Sequence, residues 1–152
     1  MHEIFMQEAL NEARSSGLDV PVGAVIVYEG EIIARAHNER ECGDQPFAHA
    51  EMLCMQRACE KLHTRRLQGC TLYVTLEPCP MCAGAMVMAQ LERCVFGAYD
   101  EKQGCCGSVY DLPHDSAFYH RVECLGGVME KQCAEILRQF FSRKREKNAS
   151  LL

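Results

Sequence analysis

Residues 70–90, "CTLYVTLEPCPMCAGAMVMAQ", pass from a strand-like run into a helix with three residues between them. "CTLYVTL" is rich in β-branched and aromatic side chains, which predicts a strand over 70–76. Pro80 suits the first turn of a helix, where its missing N–H costs nothing, and predicts a helix over 80–90. Such a junction, repeated along a chain, restricts it to layered α/β folds. In those folds, chemistry collects where strands give way to helix N-termini.

The rest of the chain repeats the alternation. Residues 2–16 carry Phe5, Met6, Ala9, Leu10 and Ala13 at helical spacing, and Gly17 is a stop signal. "VPVGAVIVY" reads as a central strand, and "EG" at 29–30 turns it into "EIIARAH" as a hairpin. A polar loop over 38–48 leads to a helix over 48–62 with Leu53, Cys54, Ala58 and Leu62 on one face. "RCVFGAY" and "RVECLGG" are short strands separated by a glycine-rich loop. Met129, Cys133, Ile136, Leu137, Phe140 and Phe141 give the last helix a wide apolar face. The order helix, hairpin, helix, strand, helix, strand, strand, helix predicts an α/β sheet whose later strands are parallel. At 152 residues, 1–152 reads as a single domain.

Composition narrows the function classes. The net charge of −5 argues against nucleic-acid binding by overall charge, but it permits a local basic surface at "SRKREKN" or "HTRRL". Each cluster taken alone reads as a solvated helix end. The N-terminus lacks the apolar core of a signal peptide, and no run approaches the roughly 18 residues of a membrane span. The expectation is therefore a cytoplasmic protein without a membrane partner. Its eleven cysteines are then reduced thiols or metal ligands rather than a disulfide framework.

Four residues could form one site. His49-x-Glu51 heads one predicted helix, and Pro78-Cys79-x-x-Cys82 heads another. Neither half is specific: about one C-x-x-C arises by chance at this cysteine content, and His37-Asn38-Glu39, at a strand end, is a second and incidental His-x-Glu. The combination H-x-E…P-C-x-x-C is the established signature of zinc-dependent nucleobase deaminases. The physical logic agrees. Zinc accepts imidazole and thiolate, and three protein ligands leave a fourth position for water. Helix N-termini favour thiolates at Cys79 and Cys82. Glu51, one residue removed from a ligand, would stand near that water and move its proton. A closed structural Cys₃His zinc site remains open, with Cys42, Cys94, Cys105 or Cys106 as the fourth ligand. A redox C-x-x-C also remains open, but it leaves His49 and Glu51 unexplained.

From "VPVGAVIV" through "HAE", "LYVTLEPCPMCAGAM" and "VFGAYDEKQG" to "CAEILRQFFSRKR", the chain resembles the bacterial tRNA-specific adenosine deaminase family, within the cytidine deaminase-like superfamily. "PCPMCAGAM" marks the superfamily and occurs in similar form in guanine deaminases. "VFGAYDEKQG…GSVYDL" and the terminal "FF" with basic residues point to the tRNA branch. The resemblance implies a three-layer α/β/α fold with a five-stranded mixed sheet, a homodimer, and hydrolysis of the wobble adenosine of a tRNA anticodon stem-loop to inosine. It implies one zinc ion per subunit on His49, Cys79 and Cys82, with Glu51 as proton carrier. The backbone N–H groups of Ala50 and Cys79 would fix the attacking oxygen. Asn38 would hold the base and Val22 would wall its pocket. Asp100 and Lys102 would lie near the flanking sugar and phosphates, and Phe141, Lys144 and Arg145 would meet the anticodon loop.

The chain departs from the family at Tyr119, where asparagine is expected at an RNA contact; tyrosine cannot reproduce the amide's paired donor and acceptor. Cys105 and Cys106 replace small residues and read as small hydrophobes. The Met-rich helix at 80–90 reads equally as core or as a dimer contact. Two further functions stay in view: a free-base or nucleoside deaminase with the same zinc site, and a non-enzymatic structural-zinc RNA-binding module.

Overall fold

The computed structural model describes residues 1–150, apart from the side chains of residues 42 and 43. Five strands, β1 (Gly23–Tyr28), β2 (Glu31–His37), β3 (Cys70–Leu76), β4 (Arg93–Ala98) and β5 (Glu123–Leu125), form one sheet. Their order is β2-β1-β3-β4-β5. β1 pairs antiparallel with both β2 and β3, whereas β3–β4 and β4–β5 are parallel, so the sheet is mixed and its later half parallel as expected. The hairpin turn has both central residues at positive φ, Glu29 at 50° and Gly30 at 81°, the twist that matches two right-twisted strands.

The helices are α1 (His2–Ala13), α2 (Arg40–Gly43), α3 (Ala50–Leu62), α4 (Pro80–Met88) and α5 (Glu130–Ser150). They cover both faces of the sheet. On one face Val25, Val27, Tyr73 and Val95 pack with Met6, Ala9 and Leu10 of α1 and with Cys133 of α5. On the other, Ala24, Ile26, Leu72, Val74, Cys94 and Phe96 pack with Ala50, Cys54, Met55 and Ala58 of α3 and with Ala83, Met86 and Val87 of α4. The alternation along each strand separates the two cores and makes the three layers. Among the described residues, no helix is long and apolar enough to cross a membrane.

Three details differ from expectation. The loop over 38–48 contains the one-turn helix α2, closed by Asp44 in the left-handed region at φ 51°. In α3, Met55 is buried on the core face, while Leu53 and Leu62 are only half-buried. The wide apolar face of α5 is largely uncovered: Cys133 is buried, Ile136, Leu137 and Phe140 are half-buried, and Phe141 is exposed. α5 rests chiefly on β4 and then runs on past the sheet.

α1 lies unusually close to β1. A Cβ on Gly23 would stand 2.0 Å from the carbonyl oxygen of Ala9 and 2.3 Å from the Ala13 nitrogen. Both are backbone atoms and cannot step aside. Gly23→Ala is expected to force α1 off the sheet and to destabilise by about 1–3 kcal/mol or more, read as a lowered urea midpoint.

Candidate active site

His49 is the N-cap of α3 (φ −72°, ψ 149°), and Cys79 is the N-cap of α4 (φ −75°, ψ 176°). Their backbones are extended, and neither side chain caps its own helix. Both turn instead into the gap between the two helix ends. Pro80 starts α4 with three residues between it and β3, and the first turn of α4 brings Cys82 to the same gap.

The His49 Nδ1 lies 3.5 Å from the Sγ of Cys79 and 3.5 Å from the Sγ of Cys82. All three donor atoms fall within 4.8 Å of one another. A tetrahedral centre with Zn–S of ~2.3 Å and Zn–N of ~2.0–2.1 Å requires an N···S edge of about 3.5 Å. The donor set and its spacing therefore fit zinc. Cys94, Cys105 and Cys106 do not join this group, so among the described residues no fourth cysteine closes the site. The side chain of Cys42 lies outside the described residues.

The electrostatics suit a cation. Hydrogen bonds from Cys82 and His49 pull the Cys79 thiol down to about 4, against the opposing effect of burial. The hydrogen bond to Cys79 and then burial hold the Cys82 thiol well above its ordinary range. The bond to Cys79 also raises His49. Two sulfurs and an imidazole thus share protons over a space where a metal would replace them.

Glu51 stands on the first turn of α3 and is 4 % exposed. Burial, the largest effect on it, pushes its carboxyl up to about 7, partly offset by the backbone and by His49. A carboxyl poised there can both take and release a proton near neutral pH.

Asn38, 7 % exposed, ties this floor to the segment leading into β1. Its Oδ1 accepts the Ala50 N–H at 2.8 Å and its Nδ2 donates to the Val20 carbonyl at 3.1 Å. The Ala50 N–H, expected to face an attacking oxygen, is thus engaged by Asn38, because the first amide of α3 needs an acceptor and the buried side chain supplies one. Among the described residues, the Cys79 N–H meets no protein acceptor. Asn38 keeps one N–H and one lone pair for a ligand.

Above the trio opens a cleft of about 890 Å³ lined by Val22, Asn38, His49, Glu51, Cys79, Asp100, Lys102 and Phe141. Lys102, Phe141, Lys144 and Arg145 also edge a shallower depression with Arg138 and Asn148. Arg35, Arg57, Arg93 and Arg138 are paired with acids. Among the described residues, Lys102, Lys144 and Arg145 form no ion pair, so positive charge gathers in the depression beside the cleft on a chain that is negative overall. Asp100 is partly spent on its own loop, where its Oδ1 accepts the N–H groups of Lys102 at 3.0 Å and Gln103 at 3.2 Å. Tyr119, 71 % exposed, lines neither depression. The cleft also takes in Arg40, Glu77, Gln103 and Ser108, which sequence reasoning did not single out. For Glu77 the signal was present: an acid between a buried strand and Pro78-Cys79 has little access to water.

Comparison with known proteins agrees with this geometry. The family model for MafB19-like deaminases matches residues 1–145. A tRNA-specific adenosine deaminase of Bacillus subtilis (strain 168) is 51 % identical over 147 residues, covering 95 % of this chain and 91 % of the relative. The corresponding Aquifex aeolicus (strain VF5) protein is 45 % identical, covering 94 % and 95 %. A solved structure from studies of A-to-I editing by tRNA:A34 deaminases superposes with a TM-score of 0.84 at 43 % identity, covering 88 % of this chain and 99 % of the other. A guanine deaminase from Bacillus subtilis is also similar, with a TM-score of 0.63 at 38 % identity, but over only 65 % of each chain. The cleft with its His–Cys–Cys floor, and identities of 51 % and 45 % that run nearly end to end with two tRNA-specific adenosine deaminases, place the chain in the tRNA-specific adenosine deaminase family.

Proposed function

We propose that this chain, as one catalytic domain, hydrolyses the wobble adenosine of a tRNA anticodon stem-loop to inosine and ammonia, with one zinc ion held by His49, Cys79 and Cys82. The carrying observation is that His49, Glu51 and Cys79 line the floor of the cleft with Cys82 buried beside them, and that Lys102 and Phe141 on its rim also edge the depression that holds Lys144 and Arg145.

Zinc at the floor would supply Lewis acidity and lower the pKa of water toward ~7. Glu51 takes a proton from the attacking water and delivers it to the purine ring, then assists departure of the amino group as ammonia. The Cys79 N–H steadies the oxygen that adds to the ring. Asn38 orients the base through its spare N–H and lone pair, and Val22 walls the pocket. Reaching this floor requires a base turned out of its stack, which favours an unpaired loop nucleotide. Lys102, Lys144 and Arg145 then meet phosphates, Phe141 offers a stacking surface, and Asp100 lies beside the flanking sugar. Tyr119 serves as an outlying RNA contact. The outward side of α4 supports a homodimer: Met88 is 71 % exposed, and nothing stands within 4 Å of the Cβ position of Gly84. Work on tRNA suits the cytoplasm.

The test is deamination of an anticodon stem-loop bearing a wobble adenosine, with free guanine and free adenosine in parallel. Inosine in the stem-loop alone is the expected result. The similarity to guanine deaminase supports a second reading, a free-base deaminase with the same floor. Turnover of guanine beside an untouched stem-loop would establish that reading. Truncation before Phe140 is expected to abolish stem-loop editing, since it removes Phe141, Lys144 and Arg145 and leaves the floor. Unchanged editing by the truncated chain would show that α5 takes no part in RNA binding.

A further inference from the structure

Glu77 is the most deeply buried carboxylate outside the reaction, 2 % exposed, and no lysine, arginine or histidine of the described residues pairs with it. It is nevertheless fully satisfied. Oε1 accepts the Asp100 N–H at 3.1 Å and the Ser108 hydroxyl. Oε2 accepts the N–H groups of Cys106 and Ser108, both at 3.0 Å. Four donors from one loop converge on one buried side chain. Burying a carboxylate without a cation costs several kcal/mol unless hydrogen bonds replace its hydration, so this arrangement holds only while the loop is closed.

The loop is shaped for that closure. A Cβ on Gly104 would lie 2.4 Å from the Glu77 Cδ and 2.4 Å from the Asp100 carbonyl oxygen, so only glycine fits there. The next residue donates its N–H to the Pro78 carbonyl, Cys105 N to Pro78 O at 2.8 Å. Residues 77 and 78 therefore hold the loop 100–108 at Asp100, Cys105, Cys106 and Ser108, and Cys79 follows directly. From this loop, Lys102 and Gln103 reach the cleft rim. Their N–H groups are held by Asp100, whose own N–H is held by Glu77.

We infer that Glu77 is a positioning residue for substrate binding, holding the loop 100–108 and its Lys102 at a set height above the metal-binding floor. The inference rests on the deaminase reading given above. Lys102 meets groups flanking the reacting base, and those contacts are the same before and during the chemical step. Losing their placement weakens uniform binding, which raises KM and leaves kcat in place.

The test compares metal-loaded wild type, Glu77→Gln and Ser108→Ala on the anticodon stem-loop. In Glu77→Gln an amide NH₂ replaces one acceptor and faces two donors. Its KM is expected to rise about 10–100-fold, the scale on which a misplaced contact remote from the chemistry acts, with kcat within threefold and metal content unchanged. Ser108→Ala, which removes one donor and disturbs folding less, is expected to raise KM about threefold. Amide hydrogen exchange is followed alongside: Asp100, Cys106 and Ser108 should lose protection in Glu77→Gln while β1 and β3 keep theirs. Unchanged KM in both variants overturns the inference. So does a fall in kcat that tracks lost metal or lost folded protein at constant KM, which assigns Glu77 to stability alone. Should the wild type leave the stem-loop unedited, the deaminase reading falls and takes the substrate role of Glu77 with it. The exchange data then decide separately whether Glu77 holds the loop.

Discussion

Glu51→Gln is expected to lower the single-turnover rate on the stem-loop by about 10²–10⁴-fold, the usual contribution of a general acid–base group. Glutamine keeps the shape and can still hydrogen-bond water, but it cannot take a proton from it or return one to the base. The fold should not suffer. Glu51 is 4 % exposed and its carboxyl is pushed from 4.5 up to about 7 by burial, so its ionisation is a cost to the metal-free fold that builds as pH rises from 4.5 to about 7 and is full above that. A neutral amide removes that cost, which more than offsets the ~0.3–1 kcal/mol that a negative charge gives in the first turn of a helix. The metal-free variant should therefore melt at or above the wild type at pH 8, and metal content should be unchanged. Wild-type rate in a correctly folded, metal-loaded Glu51→Gln chain would remove Glu51 from the mechanism and favour the structural-zinc RNA-binding module.

Cys82→Ala is expected to abolish both metal and activity. The Cys82 sulfur is fully buried and is one of three donors, so two remain, too few to retain zinc through dialysis. Elemental analysis should give about one zinc per wild-type chain and less than a tenth of that in the variant, with editing at background. Stability separates lost metal from lost fold. A ligand that binds only the folded state stabilises it by about 4 kcal/mol at a thousand times its Kd. Chelator should therefore lower the melting temperature of the wild type by several degrees and leave Cys82→Ala unmoved. Alanine itself suits a helix and fits the space, so chelated wild type and variant should melt within a few degrees of each other. Retained zinc in the variant would place the metal on other residues.

Read from the chain alone, the reacting floor was accessible because it is built from local rules. Pro80 after a β-rich run announces a helix start. A histidine or cysteine at an N-cap presents its side chain beside free amides, and Cys82 follows three residues on. The hairpin at Glu29–Gly30 and the parallel order of β3, β4 and β5 follow from turn chemistry and from strand–helix alternation in the same way. What the chain could not disclose depends on partners far away in sequence. The Ala50 N–H was free to be given to a reacting oxygen until the fold brought Asn38, twelve residues earlier, within 2.8 Å of it. Tyr119 matched an RNA contact by position, yet it stands exposed outside the cleft. The apolar stripe of α5 was plain, but how much of it would be covered depended on where β4 and the sheet end. Glu77 shows the division most clearly: its type and place are written in the sequence, but its role comes from four donors, 23 to 31 residues downstream, that only tertiary closure brings to one buried carboxylate.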